Sequence, residues 1–305
     1  MARKKMLSQL NDNLENIDFS LITPKPRTLN RSNSFRSALM LSAHNLKHLR
    51  KIPSLEAECV ILNLEDGVSS ELKPLALSLA AATLSTYPEC DKKLIVRINA
   101  LDEGGESEIS YLNDFRPDAI RIPKIRDVSD VERALELVDD EIDIYLSIET
   151  VMAWQNLGSL AIDTRVRGYF LGILDLLADL GLSQAMLTPQ NPTIRYILSH
   201  FLITSLASGI KPISFVYQDF KNLDGFREFL ALEREMGFSS KGCISPQQTE
   251  ILHEIFRYSD DELARSRHII ELFESHKSRG ITGFVDERYG FIDEPIYKDA
   301  LNKIR

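Results

Sequence analysis

The chain has 305 residues, 44% apolar and 27% charged, which suits one large folded domain with a real core. A net charge of −9 and a pI of about 5.3 argue against nucleic acid as the main partner, although a local cluster of cations can still meet an anionic ligand. No apolar run reaches the roughly 18 residues of a membrane span, and Cys59, Cys90 and Cys243 show neither paired spacing nor a zinc pattern.

Residues 1–34 are polar and read as an N-terminal extension with one short helix near 6–17. The start is basic but lacks an apolar signal core, and Asp12, Glu15 and Asp18 argue against a transit peptide. Cys59 and Cys243 lie in apolar runs and read as buried thiols, which suits a reducing cytoplasm. Eight short strands are then expected: Ala38–Leu41, Cys59–Leu64, Lys93–Ile98, Ala119–Ile122, Ile142–Ile148, Gly168–Leu171, Lys211–Val216 and Lys241–Ile244. Helical patterns between them include Leu72–Thr83, Val128–Leu137, Pro192–Ser208 and Asp224–Met236. The alternation predicts an α/β fold, a (β/α)8 TIM barrel over residues 35–255. Residues 256–305 exceed what the eighth barrel helix needs and form a C-terminal helical segment that includes Asp260–His276. An open doubly wound sheet is disfavoured, because Ser42–Ala43–His44–Asn45 after the first strand holds no glycine for a dinucleotide turn.

The active site of such a barrel lies at the C-terminal ends of its strands. Glu149 and Asp175 close the fifth and sixth apolar runs. Two carboxylates on neighbouring strands suit Mg²⁺, which fills its remaining positions with water and substrate oxygens. A salt bridge or helix cap explains the same pair. Arg97 closes the third strand, where a guanidinium either grips a carboxylate through two parallel hydrogen bonds or pairs with a rim acid such as Glu65. Glu65–Asp66 orients Arg97, meets a metal through water, or makes a turn with Gly67. Lys124 follows Pro123. A Schiff base is one role for it, and an anion contact or ion pair is the weightier one. No HxH, HExxH, GxSxG or P-loop motif is present.

Several phrases in order carry a family resemblance. They are Arg36–Ser37–Ala38–Leu39, Leu64–Glu65–Asp66–Gly67–Val68, Val96–Arg97–Ile98–Asn99, Ile122–Pro123–Lys124, Ile148–Glu149–Thr150, Asp175–Leu176 within Gly172 to Gly181, and Phe291–Ile292–Asp293–Glu294–Pro295. The sequence resembles the citrate lyase β-subunit and malyl-CoA lyase branch of the HpcH/HpaI aldolase superfamily. The resemblance implies a Mg²⁺-dependent carbon–carbon lyase, or the reverse condensation, acting on an acyl-CoA or acyl-carrier-protein thioester and an α-keto acid. It implies Glu149 and Asp175 as metal ligands. It gives Arg97 the keto-acid carboxylate, with Glu65 behind it and Lys124 in support at the substrate. It has Asp293 reach the thioester carbon from a neighbouring subunit of a trimer or hexamer. The lining departs from the family pattern at Ser42–Ala43, Ile173–Leu174, Ser214–Phe215 and Ser245–Pro246. Two alternatives follow from those departures: a CoA-independent aldolase for a hydroxy-keto acid, and a catalytically weakened binding or assembly subunit.

Overall fold

The computed structural model describes residues 22–304, so the helix expected near 6–17 lies outside the described residues. The chain divides into two compact units between residues 255 and 256. The first holds eight strands: β1 (Ser37–Ser42), β2 (Cys59–Asn63), β3 (Lys93–Arg97), β4 (Ala119–Ile122), β5 (Asp143–Ile148), β6 (Val166–Leu171), β7 (Lys211–Ile213) and β8 (Lys241–Cys243). All pair parallel, in chain order from β1 to β7, and β8 pairs with β1. The ring closes at Ser214, whose N–H donates to Ser240 O at 2.9 Å and whose carbonyl accepts from Gly242 N–H at 3.0 Å. The fold is the expected (β/α)8 barrel.

Its helices are α1 (Leu46–Leu49), α2 (Lys73–Thr86), α3 (Gly105–Asn113), α4 (Val128–Leu137), α5 (Val151–Gln155), α6 (Ile173–Asp179), α7 (Pro192–Ala207), α8 (Leu223–Met236) and α9 (Pro246–Ile255). Capping side chains start several of them: Asp127 accepts from Ser129 N–H, Thr150 from Ala153 N–H, and Asn191 from Thr193 and Ile194 N–H. β7 was expected to reach Val216; its strand runs Lys211–Ile213, and Ser214 extends it by one parallel bridge to Lys241 of β8.

Strand side chains alternate, and the inward set fills the barrel. Ala38, Cys59, Ile61, Ile95, Ala119, Tyr145, Phe170 and Ile213 form one buried cluster with Phe35. Gly168 admits the Tyr145 ring, since a Cβ there would lie 2.6 Å from a ring carbon. The N-terminal end of the barrel is met by the segment before β1. Lys93 Nζ donates to Asn30 O at 3.1 Å and Ser32 O at 3.2 Å and pairs with Asp143 at 3.0 Å, while Tyr145 donates to Asn33 Oδ1 at 2.5 Å. These contacts tie the segment before β1 to the strand N-termini, where Asn30, Ser32, Lys93 and His253 line a polar cavity of about 600 Å³; a second cavity opens above the strand C-termini.

Beside the seam, Lys241 and Glu233 form an ion pair at 2.7 Å with both side chains 0% exposed. Ser214 donates to the same Glu233 oxygen at 2.5 Å, and Lys241 Nζ lies 3.7 Å from the centre of the Phe215 ring. Burial raises the Glu233 pKa and lowers that of Lys241, so desolvation outweighs the attraction between them.

The second unit is built from α10 (Asp260–Lys277), the antiparallel hairpin β9 (Gly283–Asp286) and β10 (Gly290–Asp293), and α11 (Glu294–Ile304). A Ser259–Glu262 capping box starts α10. Ile269, Phe273, Ile292 and Ala300 form its core. No helix among the described residues is long and apolar enough to cross a membrane.

Removing one partner of the Lys241–Glu233 pair strands a buried charge. Lys241→Met is expected to lower the urea unfolding free energy by about 3–5 kcal/mol. The double variant Glu233→Leu/Lys241→Met recovers most of that loss. A double variant no more stable than Lys241→Met would show that packing, not charge, sets the cost.

Candidate active site

The inward face of each strand continues above the barrel cluster by the same two-residue step. Ile95 is followed by Arg97, Ala119 by Arg121, Tyr145 by Ser147 and Glu149, and Phe170 by Gly172. Arg97, Arg121, Glu149 and Gly172 line a cavity of about 380 Å³ with Asp66, Asp175 and the apolar Ile173 and Leu174.

Glu149 is the centre of this arrangement, with a side chain 1% exposed. Its Oε1 accepts the Lys124 N–H at 2.8 Å, and its Oε2 lies 3.6 Å from Arg97 Nη2. The Lys124 backbone is left-handed at φ 54°, a conformation that costs a non-glycine residue about 1–2 kcal/mol. Gly172 gives the carboxylate room. A Cβ at residue 172 would stand 2.5 Å from Glu149 Cβ and 2.7 Å from Oε2. Asp175 was expected at a strand end. It lies instead in the first turn of α6, where a negative charge meets the positive end of the helix dipole.

Lys124 shows that the two carboxylates converge. Its Nζ is 4.0 Å from Glu149 Oε1 and 3.6 Å from Asp175 Oδ1. Burial lowers the Lys124 pKa, but Glu149, Asp175, Glu65 and Asp66 together lift it above its ordinary value. An ammonium raised in this way suits an ion-pair partner better than a Schiff-base nucleophile. A point that attracts an ammonium from two carboxylates also fits a hard divalent cation. Mg²⁺ needs only one or two protein carboxylates, so the donor set is sufficient even though no cluster of three or more His, Cys, Asp or Glu ligands occurs among the described residues.

Arg97 is held by acids on several sides. Its Nη2 contacts Glu65 Oε2 and lies 3.5 Å from Asp66 Oδ2. Glu65 therefore orients Arg97, and Asp66 does so from a more exposed position. Arg121 behaves differently. It is 5% exposed, donates from Nε to Ser147 Oγ at 2.9 Å, and stacks 4.2 Å from the centre of the Phe170 ring. Next to them, Lys73 donates to Asn99 Oδ1 at 2.5 Å, and Asn99 donates from its N–H and its side-chain amide to Glu108.

The structure thus gathers Arg97, Glu65, Lys124, Glu149 and Asp175 at one mouth. Asp293 belongs to the second unit, ends β10, and accepts the Ile296 N–H at 3.2 Å at the start of α11. Sequence reasoning missed Arg121, Ser147 and Gly172. The signal for Arg121 was a lone charge two residues beyond an inward core position in an otherwise apolar strand. For Gly172 there was none, because the approach of Glu149 is a tertiary fact.

Burial raises the Glu65 carboxyl from its ordinary 4.5 to about 7, with Arg97 opposing and Glu149 and Asp66 adding to the rise. A raised folded-state pKa contributes stability that is present below pH 4.5 and lost as the pH climbs towards 7. In EDTA, the urea unfolding free energy of the wild type minus that of Glu65→Gln is expected to fall across that window. A flat difference would refute the raised pKa.

Residues 36–246 match the family model described as HpcH/HpaI aldolase/citrate lyase. A (3S)-malyl-CoA thioesterase of Cereibacter sphaeroides is 30% identical over 251 residues, 82% of this chain and 87% of that protein. The mitochondrial citramalyl-CoA lyase of Rattus norvegicus is 26% identical, covering 88% of this chain and 84% of its own. Among solved structures, the protein CitE from Mycobacterium tuberculosis, in complex with magnesium, acetoacetate and coenzyme A, superposes with a TM-score of 0.68 at 24% identity, covering 90% of this chain and 98% of that one. With a barrel of this topology and a family match over most of its length, the chain belongs to the HpcH/HpaI aldolase/citrate lyase family.

Proposed function

We propose that the chain is a Mg²⁺-dependent carbon–carbon lyase that cleaves, or forms, the bond between an acyl-CoA thioester and an α-keto acid. The observation that carries this reading is the convergence of Glu149 and Asp175 on one ammonium, with Arg97 beside Glu149. Membership of a family of lyases and the CoA-ester names of the relatives support it. Glu149 and Asp175 would hold the metal, which supplies Lewis-acid polarisation of the keto-acid oxygens when bound.

The chain's own residues do the rest. The Arg97 guanidinium takes the keto-acid carboxylate and fixes its orientation. Glu65 and Asp66 keep that guanidinium in place, and the Lys124 N–H does the same for Glu149. In the condensation direction the Asp293 carboxylate of a neighbouring subunit removes a proton from the thioester α-carbon, that carbon bonds to the keto carbon, and the keto oxygen takes a proton from solvent. In cleavage the hydroxyl gives its proton to solvent, the carbon–carbon bond breaks with its electron pair on the thioester α-carbon, and the Asp293 carboxyl returns a proton there. The assembly reading draws support from α7, where Tyr196, Ile203 and Leu206 share one helix face and are each more than half exposed. A trimer or hexamer, completed by the segment 256–305, is the expected form. The buried free thiols Cys59 and Cys243 support a cytoplasmic location.

The apolar pair Ile173–Leu174 in the cavity wall favours a second reading, a binding or assembly subunit that engages an acyl carrier protein with little turnover. The deciding assay incubates purified protein and Mg²⁺ with malyl- and citramalyl-type CoA esters and follows acyl-CoA and keto acid. Both products should appear, EDTA should abolish them, and Glu149→Ala should reduce kcat/KM by at least roughly 100-fold. Free CoA without keto acid would indicate thioester hydrolysis instead. A stable carrier-protein complex without turnover would favour the assembly reading.

Gly172→Ala tests the cradle. It is expected to leave the barrel folded but weaken Mg²⁺ binding about 10–100-fold in calorimetry, because the new methyl displaces Glu149. Unaltered affinity would sever Gly172 from the metal site.

A further inference from the structure

Two guanidiniums rise side by side from neighbouring strands, since Arg97 and Arg121 are register partners of β3 and β4. Their surroundings differ. Arg97 faces Glu65, Asp66 and Glu149 within ion-pair reach. Arg121 has a single hydrogen bond, to the neutral Ser147 hydroxyl, and no ion pair among the described residues. A guanidinium carries five N–H donors, so most of those of Arg121 are unspent while the group lines the cavity. Charges buried to this degree are ordinarily paired, because an isolated one forfeits its hydration without return. Burial, and then the repulsion of Arg97, push the Arg121 pKa down to about 9, and the more distant Glu149, Glu65 and Asp175 offset this only in part. Stacking on Phe170 and the bond to Ser147 fix its plane. The group is therefore oriented, cationic and without an ion-pair partner in direct contact among the described residues, Glu149, Glu65 and Asp175 acting on it only from a distance.

We propose that Arg121 binds a second carboxylate of the keto acid, so that the preferred keto-acid partner is a dicarboxylate. This rests on the lyase reading above and specifies its substrate class. One carboxylate meets Arg97 at the metal edge and the other meets Arg121 at the cavity floor. Adjacent strands lie about 4.8 Å apart, a spacing comparable with that between the two carboxylates of a short diacid. A monocarboxylate such as pyruvate leaves the floor uncompensated.

Calorimetry on the full chain with Mg²⁺ compares oxaloacetate and 2-oxoglutarate with pyruvate and 2-oxobutyrate. The dicarboxylates should bind at least about tenfold more tightly. Arg121→Met should bring the ratio of the two affinities to about one, and Arg121→Lys should hold it between. Circular dichroism and thermal melts confirm that both variants fold. Equal binding of the two classes by the wild type, or an unchanged ratio in Arg121→Met, overturns the assignment while Mg²⁺-dependent pyruvate binding keeps the lyase reading intact. A carboxylate preference seen only between acyl thioesters would place the second carboxylate on the thioester and also overturn it. Absence of any keto-acid binding in the presence of Mg²⁺ overturns the inference and the lyase reading together.

Discussion

The burial of the Glu149 carboxylate constrains everything around the barrel mouth. A side chain 1% exposed has almost no access to water. Its oxygens meet instead a backbone N–H from Lys124, the nearby guanidinium of Arg97, and the ammonium of Lys124. Each of these has its own structural requirement. The N–H points correctly because Lys124 adopts a left-handed conformation after Pro123. The carboxylate fits because residue 172 has no side chain. Moving Glu149 would therefore disturb β4, β5 and β6 at once, which makes their shared end a rigid platform.

Charge is distributed unevenly over that platform. Glu65, Asp66, Glu149 and Asp175 gather near Arg97 and Lys124, while Arg121 sits below them on Ser147 and Phe170. Burial holds the Glu65 carboxyl up at about 7 in the upper layer, against the pull of Arg97. Arg121 makes no ion pair of its own among the described residues and feels Glu149, Glu65 and Asp175 only at longer range. An anion with two carboxylates would engage both layers, and a cation between Glu149 and Asp175 would take the place now attracting Lys124.

Much of this was legible in the residues. The strand Ala119–Ile122 and the helix Val128–Leu137 fall where their apolar spacing placed them. Glu149 and Arg97 were visible because each follows a β-branched or apolar run at its C-terminal end. The sixth strand was read to its correct end at Leu171, but Asp175 was placed at that strand end and lies in the first turn of α6. The apolar run continues through Ile173–Leu174, and hydrophobicity alone does not show that a helix begins at once. The helix Gly105–Asn113 was overlooked for the opposite reason, since glycine at its start and many polar residues weaken its pattern. Arg121 was absorbed into a strand because its type was outvoted by its neighbours. Asp293 had no local signal at all and rested on the family resemblance.

The positions that depart from the family pattern separate into two kinds. Ser214 closes the barrel through its backbone and donates its hydroxyl to Glu233 Oε1. Ser245 accepts the Gln248 N–H at 3.2 Å and starts α9, and Gln248 in turn donates to Tyr217 O at 2.9 Å. These two serines serve the scaffold, so their substitution need not alter the chemistry. Ile173 and Leu174 stand in the cavity wall. Two apolar side chains there remove polar contacts from the side of the cavity and leave Arg121 as an anchor at its floor. An anionic group can still be recognised, but it must reach further into the barrel to be held.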